Sequence, residues 1–148
     1  MPSRFAQDFR EALDEIYIAL QSVPEASENT PWREGGWTHR QILGHLLDSA
    51  TNNRQRFVRA TIDGSYSGPG YVQQAWVELH GYAETPWKQL LQWWLAEHEI
   101  LAAVVDHIPE DLLESRCVVG DNPPVTLRFL ILDYLRHQRH HLQQLTAQ

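Results

Sequence analysis

Four stretches of this 148-residue chain repeat apolar side chains at steps of three and four, each bounded by proline, glycine or a hydroxyl residue. That period belongs to helices with one buried face. In the first, from about Ser3 to Ser22, Phe5, Phe9, Ala12, Leu13, Ile16, Tyr17 and Leu20 form the face, and Pro24 ends it. The second opens at Thr38, with Gln41 placed for a capping box. It carries Ile42, Leu46, Ala50, Phe57 and Val58 as far as the turn residues DGSYSGPG. The third takes Thr85 as its cap and Pro86 as its first helical residue. Its stripe is Trp87, Leu90, Leu91, Trp94, His98, Leu101, Val105 and Ile108, closed by Pro109. The fourth follows GDNPPVT, with Thr126 as cap, and runs to about Leu145. No segment alternates apolar and polar residues long enough to build a sheet. The pattern predicts an all-α four-helix bundle in one domain, residues 1–148. A long crossover connection joins helices two and three, and within it Tyr71–His80 forms a short helix or an ordered loop.

Hydrophobic residues make up 43% of the chain, enough for a core without covalent staples. The single cysteine, Cys117, excludes an internal disulfide framework and fits a reducing compartment. With no signal-peptide pattern and no long apolar run, the chain reads as soluble and cytoplasmic, with no membrane partner. The net charge of −7 with neutral histidines argues against nucleic-acid binding.

The chemistry gathers around histidines. In YLRHQRHHLQQL, residues 134–145, the apolar line of the last helix runs Leu127, Leu130, Tyr134, 137, 141 and Leu145. It points His137 and His141 into the bundle, while Asp133, Arg136, His140 and Gln143 face solvent. Residues four apart on a helix stack about 6 Å from each other at Cβ, close enough for two imidazoles to share one divalent cation. Packed or solvated imidazoles satisfy the same spacing. The zinc-protease motif is absent, because no Glu follows His137. On helix two, Thr38, Ile42, His45, Ser49, Asn52 and Arg56 fall on one line, a polar streak that is costly to bury unless paired or bound. His45 with His137 and His141 makes three ligands from two helices, leaving metal positions open as in catalytic sites. Ser49, Asn52, Arg56 and His98 are the candidate substrate-binding residues, His98 fitting a core position as well. His39, His80 and His107 read as surface or loop residues.

Two motifs resemble a known family. WTHRQILGHLLDSATNNRQRF resembles the helix-two signature of the DinB-like superfamily, in its YfiT-like branch, and YLRHQRHHLQQL resembles that family's last-helix signature. ETPW and IPEDLL are similar too, so the resemblance spans nearly the whole chain. It implies a four-helix bundle holding a divalent metal, nickel or zinc, on His45, His137 and His141. It also implies a homodimer acting on a small-molecule substrate, with a low-molecular-weight thiol as cofactor in some members. The leading expectation is a metal-dependent transferase or hydrolase using the metal as Lewis acid. No residue declares itself as general base, so the catalytic residues stay unassigned. Two alternatives stand beside this: a non-enzymatic bundle that a metal only stabilises, and a metal-independent HEPN-type ribonuclease built on Arg136 and His141.

Overall fold

Ser3, Thr38 and Thr126 start helices as their chemistry dictates. In the computed structural model, which describes residues 2–147, their side chains accept from the backbone N–H groups of Ala6, Gln41 and Phe129. Thr38 and Gln41 close the full capping box. The resulting bundle helices are α1 (Arg4–Gln21), α2 (His39–Asp63), α4 (Trp87–Asp106) and α5 (Leu127–Thr146), with a short α3 (Gln73–His80) between α2 and α4. The expected four-helix bundle is therefore present.

Helix α4 starts differently from the sequence reading. Pro86 occupies the cap position, and the Thr85 hydroxyl donates to the Gly81 carbonyl instead of capping. The free N–H of Trp87 donates to Glu28 Oε2 at 2.8 Å, a carboxylate contributed by the loop between α1 and α2. A negative group at a helix start also suits the helix dipole.

Each helix buries the face its period marks. Phe9, Leu13, Ile16 and Leu20 of α1, Ile42, Leu46, Ala50 and Phe57 of α2, Leu90, Trp94 and Leu101 of α4, and Leu127, Ile131 and Tyr134 of α5 form one core. Helix α1 packs on α4 and α5, and α2 packs on α4 and α5. Helices consecutive in the bundle, α1 with α2 and α4 with α5, thus occupy diagonal corners. Gly44 lets the Tyr82 ring lie directly on α2, since a Cβ there would sit 2.1 Å from Tyr82 Cδ2. Tyr82 then donates to the buried Asp48 carboxylate at 2.7 Å.

One element is absent from the sequence expectation. After Gly64 ends α2 in the left-handed region, β1 (Ser65–Gly68) pairs in parallel with β2 (Arg116–Val119), which pairs antiparallel with β3 (Val125–Thr126). These strands are too short to show a period of two, and a parallel partner 51 residues away leaves no local signature. The sheet lies between the end of α2 and the start of α5, where it closes one part of the candidate site. Among the described residues, no helix is long and apolar enough to cross a membrane.

Candidate metal centre and cavity

Helices α2 and α5 face each other at His45, Ser49, His137 and His141. One ring nitrogen from each of the three histidines lies within 4.8 Å of the others. His45 Nε2 and His137 Nε2 are 3.2 Å apart, and the three rings meet edge to face. His140 and Arg136 are exposed, as their register predicts, and Arg136 pairs with Asp133 at 2.5 Å. Arg136 thus turns away from His141, which leaves the ribonuclease reading without its pair.

Protonation follows from burial. Desolvation, then the neighbouring His141 and His137, holds His45 down to about 3. Desolvation, then His141 and His140, holds His137 down to about 4. His141 is lowered by burial as well, against the opposing pull of its bond to Gln144. All three are therefore neutral near pH 7, the form that ligates metal.

The tautomers can be assigned from partners. His141 Nδ1–H donates to Gln144 Oε1 at 2.7 Å, and His137 Nδ1 faces Ser49 Oγ at 3.4 Å. With Ser49 Oγ accepting from His137 Nδ1–H, both rings keep a lone pair on Nε2. His45 Nδ1 is buried with no partner. If His45 donates from Nε2, its Nδ1 lone pair is stranded; if it carries its proton on Nδ1, two Nε2 lone pairs oppose each other at 3.2 Å and Nδ1–H is left without a partner among the described residues. A cation between the Nε2 lone pairs turns their repulsion into ligation, so this donor set fits a divalent metal.

Through His137 the cluster meets a cavity of about 330 Å³ whose wall also includes Ser49, Asn53, Arg56, Tyr71, Asp133 and Tyr134. Ser49 and Arg56 stand where the sequence line puts them. Asn52 does not: its amide donates to the Asp48 carbonyl, and it faces a second cavity of about 440 Å³ beneath Tyr66 and Trp76. Asn53 takes the place on the site, donating to the Ser49 carbonyl at 2.8 Å and to Ser49 Oγ at 3.3 Å. From Ser49, steps of three and four both read as one face, and the longer one is used. Arg56 and Tyr71 line both cavities.

His98 is enclosed instead of lining the cavity, with 2% of its surface exposed. Its Nδ1–H donates to the Trp94 carbonyl, so Nε2 accepts from the Tyr134 hydroxyl. Burial holds this ring down to about 3. His98 thus positions Tyr134 from behind. His39, read as a surface residue, is also buried, with Nδ1 3.2 Å from Ser27 Oγ. His80 and His107 are exposed as expected.

Tyr71, Tyr134 and Gln144 are the site residues that the sequence reading missed. Tyr71 follows Pro69 and Gly70 in a connecting segment, where period carries no information. Gln144 stands three residues beyond His141, a helical neighbour of a ligand candidate and so a findable partner. Burial, with the Asp48 charge, pushes the Tyr71 hydroxyl up to about 12, so it is a neutral donor near pH 7.

Known proteins share this arrangement of the chain. A Bacillus cereus (strain AH820) protein named "Putative metal-dependent hydrolase" is 26% identical over 147 residues, 99% of this chain and 84% of its own length. The structure of YfiT from Bacillus subtilis, described as a probable metal-dependent hydrolase with an unusual four-helix bundle topology, matches with a TM-score of 0.86. That match has 24% identity and covers 99% of this chain and 87% of YfiT. A mycothiol-dependent maleylpyruvate isomerase matches at a TM-score of 0.79 with 14% identity, covering 97% of this chain and 60% of the isomerase. These structural likenesses establish the fold. The model of the DinB superfamily matches residues 8–145, a span that takes in α2 and its His45 and α5 with His137 and His141. With the bundle, the histidine-bearing helices and the family pattern coinciding over that length, the chain belongs to the DinB superfamily.

Proposed function

We propose that the protein is a metal-dependent enzyme, a hydrolase or a thiol-dependent transferase. His45, His137 and His141 hold a divalent cation at the inner end of the cavity. The observation that carries this reading is the convergence of three neutral imidazoles with opposed lone pairs, one of which, His137, lines a cavity. Neutral imidazole favours borderline ions such as zinc or nickel. Such an ion supplies Lewis acidity, lowering the pKa of a water or thiol so that a nucleophile forms near neutral pH. The names of the relatives, a metal-dependent hydrolase and a thiol-dependent isomerase, support both branches of the proposal.

The chain's own groups do the positioning. Gln144 and Ser49 fix the tautomers of His141 and His137 through Nδ1, leaving Nε2 as ligand. The Ser49 oxygen already accepts from Asn53, and its proton is free to point into the cavity or to Tyr71. The Tyr71 O–H is the neutral donor suited to a substrate oxygen that gains charge. Tyr134 has its proton committed to His98, so it presents only lone pairs to the cavity.

Metal analysis of purified protein and four alanine variants tests the assignment. His45→Ala, His137→Ala and His141→Ala should each lose most of the bound metal, whereas His140→Ala, on the exposed face, should retain the wild-type ratio. Full metal in all four variants would dismiss the site, and loss confined to His140→Ala would dismiss the register.

A further inference from the structure

Arg56 is the only Lys or Arg buried among the described residues, with 8% of its surface exposed. No Asp or Glu lies within ion-pair distance of it. Its contacts are two neutral oxygens, Asn53 Oδ1 and the Pro69 carbonyl, each at 3.5 Å, the outer edge of a hydrogen bond. A guanidinium enclosed in this way bears a desolvation penalty that no opposite charge among the described residues offsets. It lines the same cavity as His137. The carboxylate in that wall, Asp133, is already engaged by Arg136 at 2.5 Å. One positive charge is left over.

We infer that Arg56 is the anchor for a carboxylate on the substrate, whose reacting group lies at the histidine end of the cavity. This rests on the proposed function for the identity of the reacting end, and on Arg56 alone for the anchor. A planar guanidinium presents a fork of N–H donors that matches a carboxylate edge. A single negative charge neutralises the excess, while a doubly charged phosphate would enclose surplus negative charge beside Asp133. The guanidinium leans back along α2 onto Asn53, whose amide also reaches Ser49 beside His137, so one acid can span the wall from Arg56 to the histidine end. The cavity, about 330 Å³, sits at the small end of ligand pockets and suits a compact acid.

Calorimetric titration of the protein as purified with sodium hexanoate, hexanamide and inorganic phosphate tests this, alongside Arg56→Met and Arg56→Lys. Hexanoate should bind wild type at least about tenfold more tightly than the uncharged amide. Arg56→Met should abolish that preference, and Arg56→Lys, keeping charge without the fork, should retain part of it. With no ligand present, Arg56→Met should melt at or above wild type, because it removes an uncompensated charge. Equal binding of acid and amide would overturn the anchor. So would a hexanoate preference that survives Arg56→Met, the result expected if the acid binds the metal instead. A melting point of Arg56→Met well below wild type would show that the charge is satisfied internally, also against the inference. Arg56-dependent phosphate binding tighter than hexanoate would overturn the carboxylate assignment. Metal content is measured on the same samples: loss of the metal reading leaves the hexanoate comparison standing, and an Arg56→Met protein with full metal isolates the anchor.

Discussion

At the scale of single residues, the site is a problem of proton placement. His98 is neutral because burial forbids its charge, and its ordinary value of 6.5 applies only once the chain unfolds. The unfolded chain therefore binds a proton that the folded one refuses. Stability is fully present above 6.5 and falls as pH drops from 6.5 toward about 3. In that window His98 alone contributes a slope of about 1.4 kcal/mol per pH unit. His45 and His137 act in the same direction when no metal is bound. Urea unfolding of metal-stripped protein at pH 7, 6, 5 and 4 should show this steepening loss; a flat profile would mean that His98 charges without cost. Tyr134→Phe should cost about 1–3 kcal/mol by leaving His98 Nε2 buried without a donor, measurable in the same denaturation at pH 7. Much of this scale was legible in the sequence. The heptad-like line of α5 separates His137 and His141 from His140 because helical register fixes side-chain direction. The line on α2 points to Asn52 where Asn53 lines the cavity, and the stripe on α4 leaves His98 open between wall and core, because a stripe gives the face a residue occupies and not how deep in the core it ends.

Among elements, the contacts that hold helices in place come from outside their own segments. Glu28 caps α4 from the loop between α1 and α2, so Glu28→Ala should lower stability by about 1 kcal/mol. Glu28 also faces Arg40 at 3.5 Å, so Glu28→Gln, which keeps an oxygen for the Trp87 N–H and removes the charge, separates the cap from the ion pair. Gly44→Ala tests the seat of Tyr82 on α2. The added methyl would lie 2.1 Å from a ring atom, and the ring is tied to Asp48, so a cost of about 1–3 kcal/mol is expected. Thermal melting at or above the wild-type temperature would show that the ring moves aside freely. Neither contact is visible from the sequence, because both join segments with no shared period. The helices were visible, since eighteen or more residues of amphipathic repeat leave a strong signal. Strands of four, four and two residues leave none.

For the molecule as a whole, the small sheet has a consequence in time. Ser65 pairs with Arg116 across 51 residues of chain, and the bundle's consecutive helices sit on diagonals, so the contacts that join these elements are non-local. Such contacts form after local ones because loop closure must precede the pairing that rewards it. Helical segments can form on their own and early. The cavity cannot: its wall takes Val119 from the end of β2, Asn122 from the turn beyond it, and Gly70 and Tyr71 from the segment after β1, so it exists only once those strands meet. In stopped-flow refolding, far-ultraviolet dichroism should therefore recover before the capacity to bind hexanoate. Simultaneous recovery would mean that the strands close as early as the helices. Newly synthesised chains would pass through a helical stage that is compact yet still lacks the cavity, which would appear only with the last closure of the chain.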